Sequence, residues 1–302
     1  MRIAAFAALI VLAVAVVGCG TSSGSDVPDA ITVAASRSTA SPEPAPDAPI
    51  PHGTSALANA CRGSTQSAEA TVRAWLRTNP RIGDEPPAAA ALEALYQQRI
   101  YRYLRGHPAK ARAVVVALPA SMQRSARDNV AAGRSLLELS PKTKPKTQPP
   151  IRPGRALPPQ RLLGWYRAAQ KRFGVRWELL AAVNLVESDF NRLRNNSYAG
   201  AQGPMQFMPS TWRAYGLGGN VRDPHDAIMG AANYLHASGA PRDDRTALYH
   251  YNPSRLYVDA VMRYARQMKL RTERFYVYWN WQVFVRDWAH GGTDKRLTGP
   301  GL

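Results

Sequence analysis

The chain has little of what several classes of protein depend on. Only 2 of its 302 residues are cysteines and 6 are histidines. One cysteine closes an N-terminal apolar run, which leaves Cys61 as the other. A single thiol of this kind is either buried or available for pairing between chains, and we favour burial. His225, His236 and His250 lack the spacing of metal ligands, so neither a metal nor a cofactor is expected.

Acidic residues are scarce relative to basic ones. The chain has 39 Lys and Arg residues against 21 Asp and Glu residues, a formal net charge of +18. This balance favours anionic partners such as nucleic acid, lipid headgroups or acidic polymers. No nucleic-acid-binding motif accompanies the charge, so we do not expect a nucleic-acid partner.

Long hydrophobic runs are also missing, apart from Ile3–Val17, which follows Arg2. This run is too short for a membrane span and is typical of a signal peptide over residues 1–19. Val16-Val17-Gly18-Cys19 resembles the lipobox of bacterial lipoproteins. The resemblance implies that Cys19 becomes lipidated and holds the protein on a membrane of the cell envelope. The alternative is an ordinary signal peptide that ends at a chance cysteine.

The next part of the chain changes from a polar segment to helical patterns. Residues 20–58 are rich in Ser, Ala, Pro, Thr and Asp and predict a disordered tether. Residues 59–140 contain four apolar stripes of helical period, an accessory region that we expect to pack on the rest of the protein. Residues 141–156 form a linker rich in Pro and Lys.

Residues 157–272 predict an all-α domain. Gly174 is placed to end its first helix, and Asp223 with Pro224 to begin a later one. In the second helix, Leu179, Leu180, Val183, Val186 and Phe190 form an apolar stripe, and Glu187 lies at its edge. Burial and the negative end of the helix dipole both raise a carboxyl pKa, so Glu187 is a candidate general acid.

The motifs around Glu187 identify a family. Glu187-Ser188, the segment Gly203-Pro204-Met205-Gln206-Phe207-Met208-Pro209, and Tyr251-Asn252 occur in that order. Over about residues 158–270 the chain resembles lytic transglycosylases with a goose-lysozyme-like catalytic domain. It has Pro204 where many relatives have Leu, which does not touch the expected chemistry.

The resemblance implies that the protein cleaves the β-1,4 bond between N-acetylmuramic acid and N-acetylglucosamine in peptidoglycan and leaves a 1,6-anhydro end. Glu187 would be the single acid and base, Ser188 would orient it or contact sugar, Met205 and Gln206 would line the cleft, and Tyr251 with Asn252 would bind substrate. We expect a monomer. Two alternatives stay open: a hydrolytic muramidase with Asp223 or Asp226 as second carboxylate, and a non-enzymatic peptidoglycan-binding lipoprotein.

The C-terminal residues 273–302 have a different pattern. From Phe275 to Val285 two sets of mostly large residues alternate, which predicts a strand or extended arm packed on the domain. Trp279 and Trp281 in this arm either belong to the core or form a platform on which sugars stack.

Overall fold

A computed structural model describes residues 43–143, 151–287 and 293–301. The predicted signal peptide with Cys19, most of the predicted tether, and Lys144 and Lys146 of the predicted linker lie outside these residues. Within the described ranges, no helix combines the length and the apolar character needed to cross a bilayer.

Four helices form the N-terminal region, as the four apolar stripes predicted. They are α1 Thr54–Leu76, α2 Ala88–Gly106, α3 Pro108–Ala117 and α4 Ala120–Leu139. Cys61 on α1 is 1% exposed, which confirms its predicted burial.

The predicted tether is wrong for its described part, residues 43–58. Arg99 Nη1 donates hydrogen bonds to the carbonyls of Pro46 at 3.1 Å and Ala48 at 2.8 Å, and α1 already begins at Thr54. The small and polar residues of this stretch gave no apolar stripe. Long-range contacts of Leu57, which is fully buried, stabilise the first turns of α1 instead.

Six helices form the following domain, and they confirm the all-α prediction. They are α5 Pro159–Phe173, α6 Trp177–Ser188, α7 Pro209–Tyr215, α8 Pro224–Ala237, α9 Asp244–Tyr251 and α10 Arg255–Leu270. Gly174 ends α5 with φ 75°, a left-handed conformation that glycine adopts without strain. The Asp223 side chain caps α8 by accepting from the Asp226 backbone N–H, with Pro224 in the first turn.

Helix α10 joins the N-terminal region to this domain because it packs against α4 on one side and α6 on another. Asp128 of α4 is only 3% exposed at this interface. It accepts hydrogen bonds from Arg263 Nη1 at 3.1 Å, Arg266 Nε at 2.8 Å and Gln267 Nε2 at 2.6 Å, all on α10. The expected packing of the accessory helices on the domain is therefore confirmed, and one hydrophobic core runs through both.

The strand predicted over 275–285 is wrong for most of its length. Residues Glu273–Trp279 form helix α11, and only Phe284–Asp287 form a strand, β1, which pairs antiparallel with β2, Thr293–Arg296. Alternation failed as a signal because every residue from 275 to 279 is buried, so neither alternating set faces solvent.

Trp279 and Trp281 belong to the core. They are 5% and 6% exposed, and their ring N–H groups donate to the Leu157 carbonyl at 2.8 Å and to Gln97 Oε1 at 3.3 Å. A platform for sugar stacking needs an exposed ring face, so that alternative is wrong for this conformation.

Candidate active site

Glu187 is the penultimate residue of α6, a helix whose other residues are mostly buried. The helix ends abruptly because Asp189, Phe190 and Asn191 all have positive φ, at 52°, 55° and 71°. Such left-handed geometry is unfavourable for residues other than glycine and persists where the surroundings enforce it. Phe190 supplies part of that enforcement, since its ring is fully buried. The turn leaves Glu187 half-buried at the helix end.

The environment of Glu187 favours the protonated form of its carboxyl. Burial raises the pKa of the Glu187 carboxyl to about 7, and a hydrogen bond from Tyr257 acts in the opposite, weaker direction. The Tyr257 hydroxyl donates to Glu187 Oε1 at 2.7 Å. Glu187 Oε2 makes no hydrogen bond within the described residues, so it is the oxygen that can exchange a proton with a ligand. The direction of the pKa shift agrees with the prediction from the apolar stripe.

The Ser188 side chain is buried and makes its hydrogen bonds within the protein. Its side chain has no exposed surface, so the structure does not support a direct contact with sugar. Ser188 Oγ donates to the Pro204 carbonyl at 2.7 Å and accepts from the Asn191 backbone N–H at 3.1 Å and Asn184 Nδ2 at 3.0 Å. Asn184 Nδ2 also donates to the Pro204 carbonyl, at 2.9 Å. Ser188 and Asn184 therefore fix the 203–208 loop to the end of α6.

The 203–208 loop is shaped by Gly203, which has φ 71° and lies so close to Val221 that an added Cβ would stand 1.8 Å from the Val221 carbonyl oxygen. Gln206 also has positive φ, at 50°, and its Nε2 donates to the carbonyls of Asn195 at 3.1 Å and Gly203 at 2.9 Å. The Met205 side chain, in the middle of the loop, is fully buried. Gln206 is thus the partly exposed residue of the predicted pair, and Met205 is a packing residue.

Tyr251 and Asn252 stand at the end of α9. The half-buried Tyr251 donates its hydroxyl to the Met205 carbonyl at 2.6 Å, which joins α9 to the 203–208 loop. Asn252 follows it and is 6% exposed. A negative charge on Glu187 raises the pKa of Tyr251, an effect second to that of burial, so the two side chains are electrostatic neighbours. The structure thus brings Glu187, the loop and Tyr251 together.

The sequence analysis missed Tyr257 and Asn184. Tyr257 lies on α10, 70 residues from Glu187, and is fully buried. Its position six residues after Tyr251 was visible in the sequence, but nothing distinguished it from an aromatic of the core. Asn184 could have been found, because a polar amide three residues before Glu187 interrupts an apolar helix.

The described end of the predicted linker pairs with the chain just after α6. Pro153 and Leu193 form an antiparallel bridge, with the Gly154 N–H donating to the Arg192 carbonyl at 2.8 Å and the Arg194 N–H to the Arg152 carbonyl at 3.1 Å. The described end of the linker is therefore attached to the loop that follows Glu187.

Asp223 and Asp226, the alternative second carboxylates, take part in starting α8. Asp223 Oδ1 accepts from the Asp226 N–H at 3.0 Å, and Asp226 Oδ2 accepts from the Asn220 N–H at 2.9 Å. Possible ligand atoms of Asp223, His225 and Asp226 lie within 4.8 Å of one another. Because both carboxylates already serve backbone N–H groups, helix capping accounts for this cluster.

A comparison with protein families finds one model, described as Transglycosylase SLT domain, that matches residues 165–271. No curated protein and no solved structure matches the chain significantly. The matched residues include α6 with Glu187, the 203–208 loop, Tyr251, which bonds to that loop, and Tyr257, which bonds to Glu187. The site therefore lies within residues 165–271, the part of the chain that matches the transglycosylase SLT domain, and this match supports a lysozyme-like domain of the lytic transglycosylase type.

Proposed function

We propose that this protein is a peptidoglycan lytic transglycosylase in which Glu187 is the only general acid and base. It would cleave the β-1,4 bond between N-acetylmuramic acid and N-acetylglucosamine and leave a 1,6-anhydro-N-acetylmuramic acid end. The observation that carries the proposal is the half-buried Glu187, whose pKa is raised to about 7 by burial. A carboxyl that is still protonated near neutral pH can donate to a leaving oxygen.

The reaction uses the same carboxyl group twice, first as an acid and then as a base. Glu187 Oε2 first donates it to the glycosidic oxygen as the bond from that oxygen to C1 of N-acetylmuramic acid breaks. The C6 hydroxyl oxygen of the same sugar then attacks C1, and Glu187, now a carboxylate, removes the hydroxyl proton. Between the two steps the Tyr257 hydroxyl, which donates to Oε1, stabilises the Glu187 carboxylate and leaves Oε2 free for the substrate.

The surrounding residues have positioning roles in this proposal. Ser188 and Asn184 hold the 203–208 loop against α6, and Tyr251 holds the same loop from α9. Gln206, Tyr251 and Asn252 are the residues that we propose for substrate binding, with Met205 supporting the loop from below. Because Asp223 and Asp226 are engaged in starting α8, their geometry does not favour a hydrolytic mechanism.

Mass analysis of the products tests the reaction. Purified protein is incubated with peptidoglycan sacculi, and the released muropeptides are compared between wild type and Glu187→Gln. We expect anhydro products from wild type, lighter by one water than hydrolysed ones, and a loss of about 10²–10⁴-fold in rate for Glu187→Gln. Hydrated products would establish a muramidase instead. Sacculus binding without any release by wild type would establish a non-enzymatic wall-binding protein.

We also propose that the protein works in the cell envelope, anchored to a membrane through lipidated Cys19. The support is the sequence Val16-Val17-Gly18-Cys19 after an apolar run. Replacing Cys19 with Ser is expected to move the protein from the membrane fraction to the soluble extracytoplasmic fraction. Equal membrane retention of both proteins would contradict the lipid anchor.

A further inference from the structure

A cavity of about 120 Å³ lies among α2, α4, α6, α10 and the segment that leads into β1. Its walls include Arg102, Arg105, Asp189, Tyr264 and Trp281. Glu187, Ser188, the 203–208 loop and both tyrosines of the active site are not among its lining residues. We refer to it as the interhelical cavity. It is formed partly by the N-terminal region and partly by the transglycosylase domain.

The acidic side of the interhelical cavity is a carboxylate without a partner. Asp189 lines the cavity, and its Oδ1 atom is buried with no hydrogen bond to any described residue. Burial raises the pKa of Asp189 to about 7, against the opposing effects of Arg192 and Arg102. A buried polar atom of this kind costs about 1–3 kcal/mol unless something binds it. Asp189 Oδ1 is thus an acceptor available for a donor group.

The basic side consists of two guanidinium groups and a hydroxyl. Arg102 and Arg105 both contact one carboxylate, Asp294, at 2.8 Å and 3.1 Å, and Arg105 is only 8% exposed. Each guanidinium has five N–H groups, so this shared partner leaves further donors on both. The charges of Arg105, Arg102 and Asp189 all influence the pKa of Tyr264, which places its hydroxyl among them. Tyr264 makes no side-chain hydrogen bond within the described residues.

Together these groups match a molecule that carries both an ammonium and a carboxylate. The lining of the cavity combines the donors of Arg102 and Arg105, the Asp189 carboxylate with its unbonded Oδ1 atom, and the aromatic ring of Trp281. Its volume restricts the ligand, since an apolar cavity of about 150 Å³ binds benzene. Alanine has as many non-hydrogen atoms as benzene. We propose that the interhelical cavity binds a free α-amino acid of about the size of alanine, with its ammonium on Asp189 and its carboxylate on Arg102, Arg105 and Tyr264.

The proposed site does not depend on the proposed reaction. The interhelical cavity is connected to the active site only because Asp189 caps the same helix that carries Glu187. The binding test therefore uses no peptidoglycan, and loss of one proposal leaves the other intact.

Calorimetric titration of the full chain, at about pH 8 where Asp189 is ionised, tests the site. The probes are D-alanine, L-alanine, propionate, which is alanine without its amino group, and ethylamine, which is alanine without its carboxyl group. We expect saturable binding of at least one alanine enantiomer, with propionate and ethylamine at least about tenfold weaker. Thermal denaturation provides a second readout, because a ligand of the folded state raises Tm.

Two variants locate the binding. Asp189→Asn keeps the side-chain shape, and asparagine tolerates the left-handed conformation at this position, so the variant should fold. It is expected to bind alanine no better than propionate. Tyr264→Phe removes only the hydroxyl and is expected to weaken both ligands. Asp259→Asn changes a side chain that is 40% exposed and paired with Arg245, so it is the matched control and should bind like wild type, as should Glu187→Gln.

Three results would overturn the proposal. The first is the absence of a calorimetric or thermal response to either alanine enantiomer at about 100 mM. A dissociation constant above that concentration would be too weak for a specific site of this chemistry. The second is equal affinity for alanine and propionate, since the ammonium then plays no part. The third is unchanged alanine binding by Asp189→Asn and Tyr264→Phe. If Asp189→Asn does not fold, Tyr264→Phe alone decides the location.

Discussion

Replacing Tyr257 with phenylalanine removes one hydroxyl from a fully buried ring and leaves the packing of α10 otherwise intact. That hydroxyl donates the 2.7 Å hydrogen bond to Glu187 Oε1. The bond stabilises the ionised carboxylate, so it lowers the pKa of Glu187 against the larger effect of burial, which raises it to about 7. Without it, the pKa of Glu187 should rise further.

The size of the effect follows from the strength of such bonds. A hydrogen bond to a charged group contributes about 1.5–3 kcal/mol, and one pKa unit corresponds to about 1.4 kcal/mol. Because Glu187 is half-buried, water can replace part of the lost interaction, and we expect a rise of about one unit. A general acid is active below its pKa. The loss of activity on the alkaline side of the pH profile should therefore move to higher pH by about one unit.

The assay is the pH dependence of kcat/KM on soluble uncrosslinked glycan strands, which reports ionisation in the free enzyme. Titration of the Glu187 carboxyl by ¹³C NMR, without substrate, measures the same shift independently of catalysis. Tyr249→Phe, at a position 47% exposed, is the matched control and should leave both measurements unchanged. An alkaline limb and a carboxyl titration that stay in place, or move to lower pH, in a folded Tyr257→Phe protein would refute the reasoning.

The remaining predictions concern stability and can be measured by urea denaturation. Glu187→Gln should be more stable than wild type by about 3 kcal/mol at about pH 8 and equally stable at about pH 4. The reason is that a folded-state pKa raised from 4.5 to about 7 makes ionisation of Glu187 destabilising between those values. Equal stability at both pH values would contradict this. Gly203→Ala should cost more than about 2 kcal/mol because its Cβ would overlap the Val221 carbonyl, whereas Gly200→Ala meets no neighbouring atom and should cost about 1 kcal/mol. Comparable losses in both would exclude the overlap as the cause. Asp128→Ala should cost about 3 kcal/mol, since it leaves two arginines of α10 without their carboxylate; a loss under about 1 kcal/mol would mean that this ion cluster does not join the two regions.

Local patterns predicted most helices because their signals act over a few residues. Gly174 marked the end of α5, and Asp223 with Pro224 marked the start of α8. The same reasoning failed at α1, whose first turns lack an apolar stripe. It failed again at α11, where every residue is buried and periodicity carries no information about exposure.

The candidate site was predictable in part. Glu187 could be selected from the sequence, because its place on the stripe and at the helix end both raise a carboxyl pKa. The roles of Ser188 and Tyr257, which lie next to Glu187 in the structure, could not be predicted in the same way. Ser188 proved to be a buried anchor for the loop, and Tyr257 was not selected at all. Both results depend on contacts between segments far apart in the chain.

The sequence by itself determined that the helices dominate this protein and that the pKa of Glu187 is raised, because helical period and helix ends depend on neighbouring residues. Only the tertiary structure decided which hydroxyl contacts that carboxyl and that the N-terminal helices share its core. It also decided that Asp189, two residues on, faces a separate cavity. Those arrangements arise when α4, α6 and α10 pack together. Contacts between segments that are far apart in the chain cannot be predicted from the hydrophobic periodicity of any one segment.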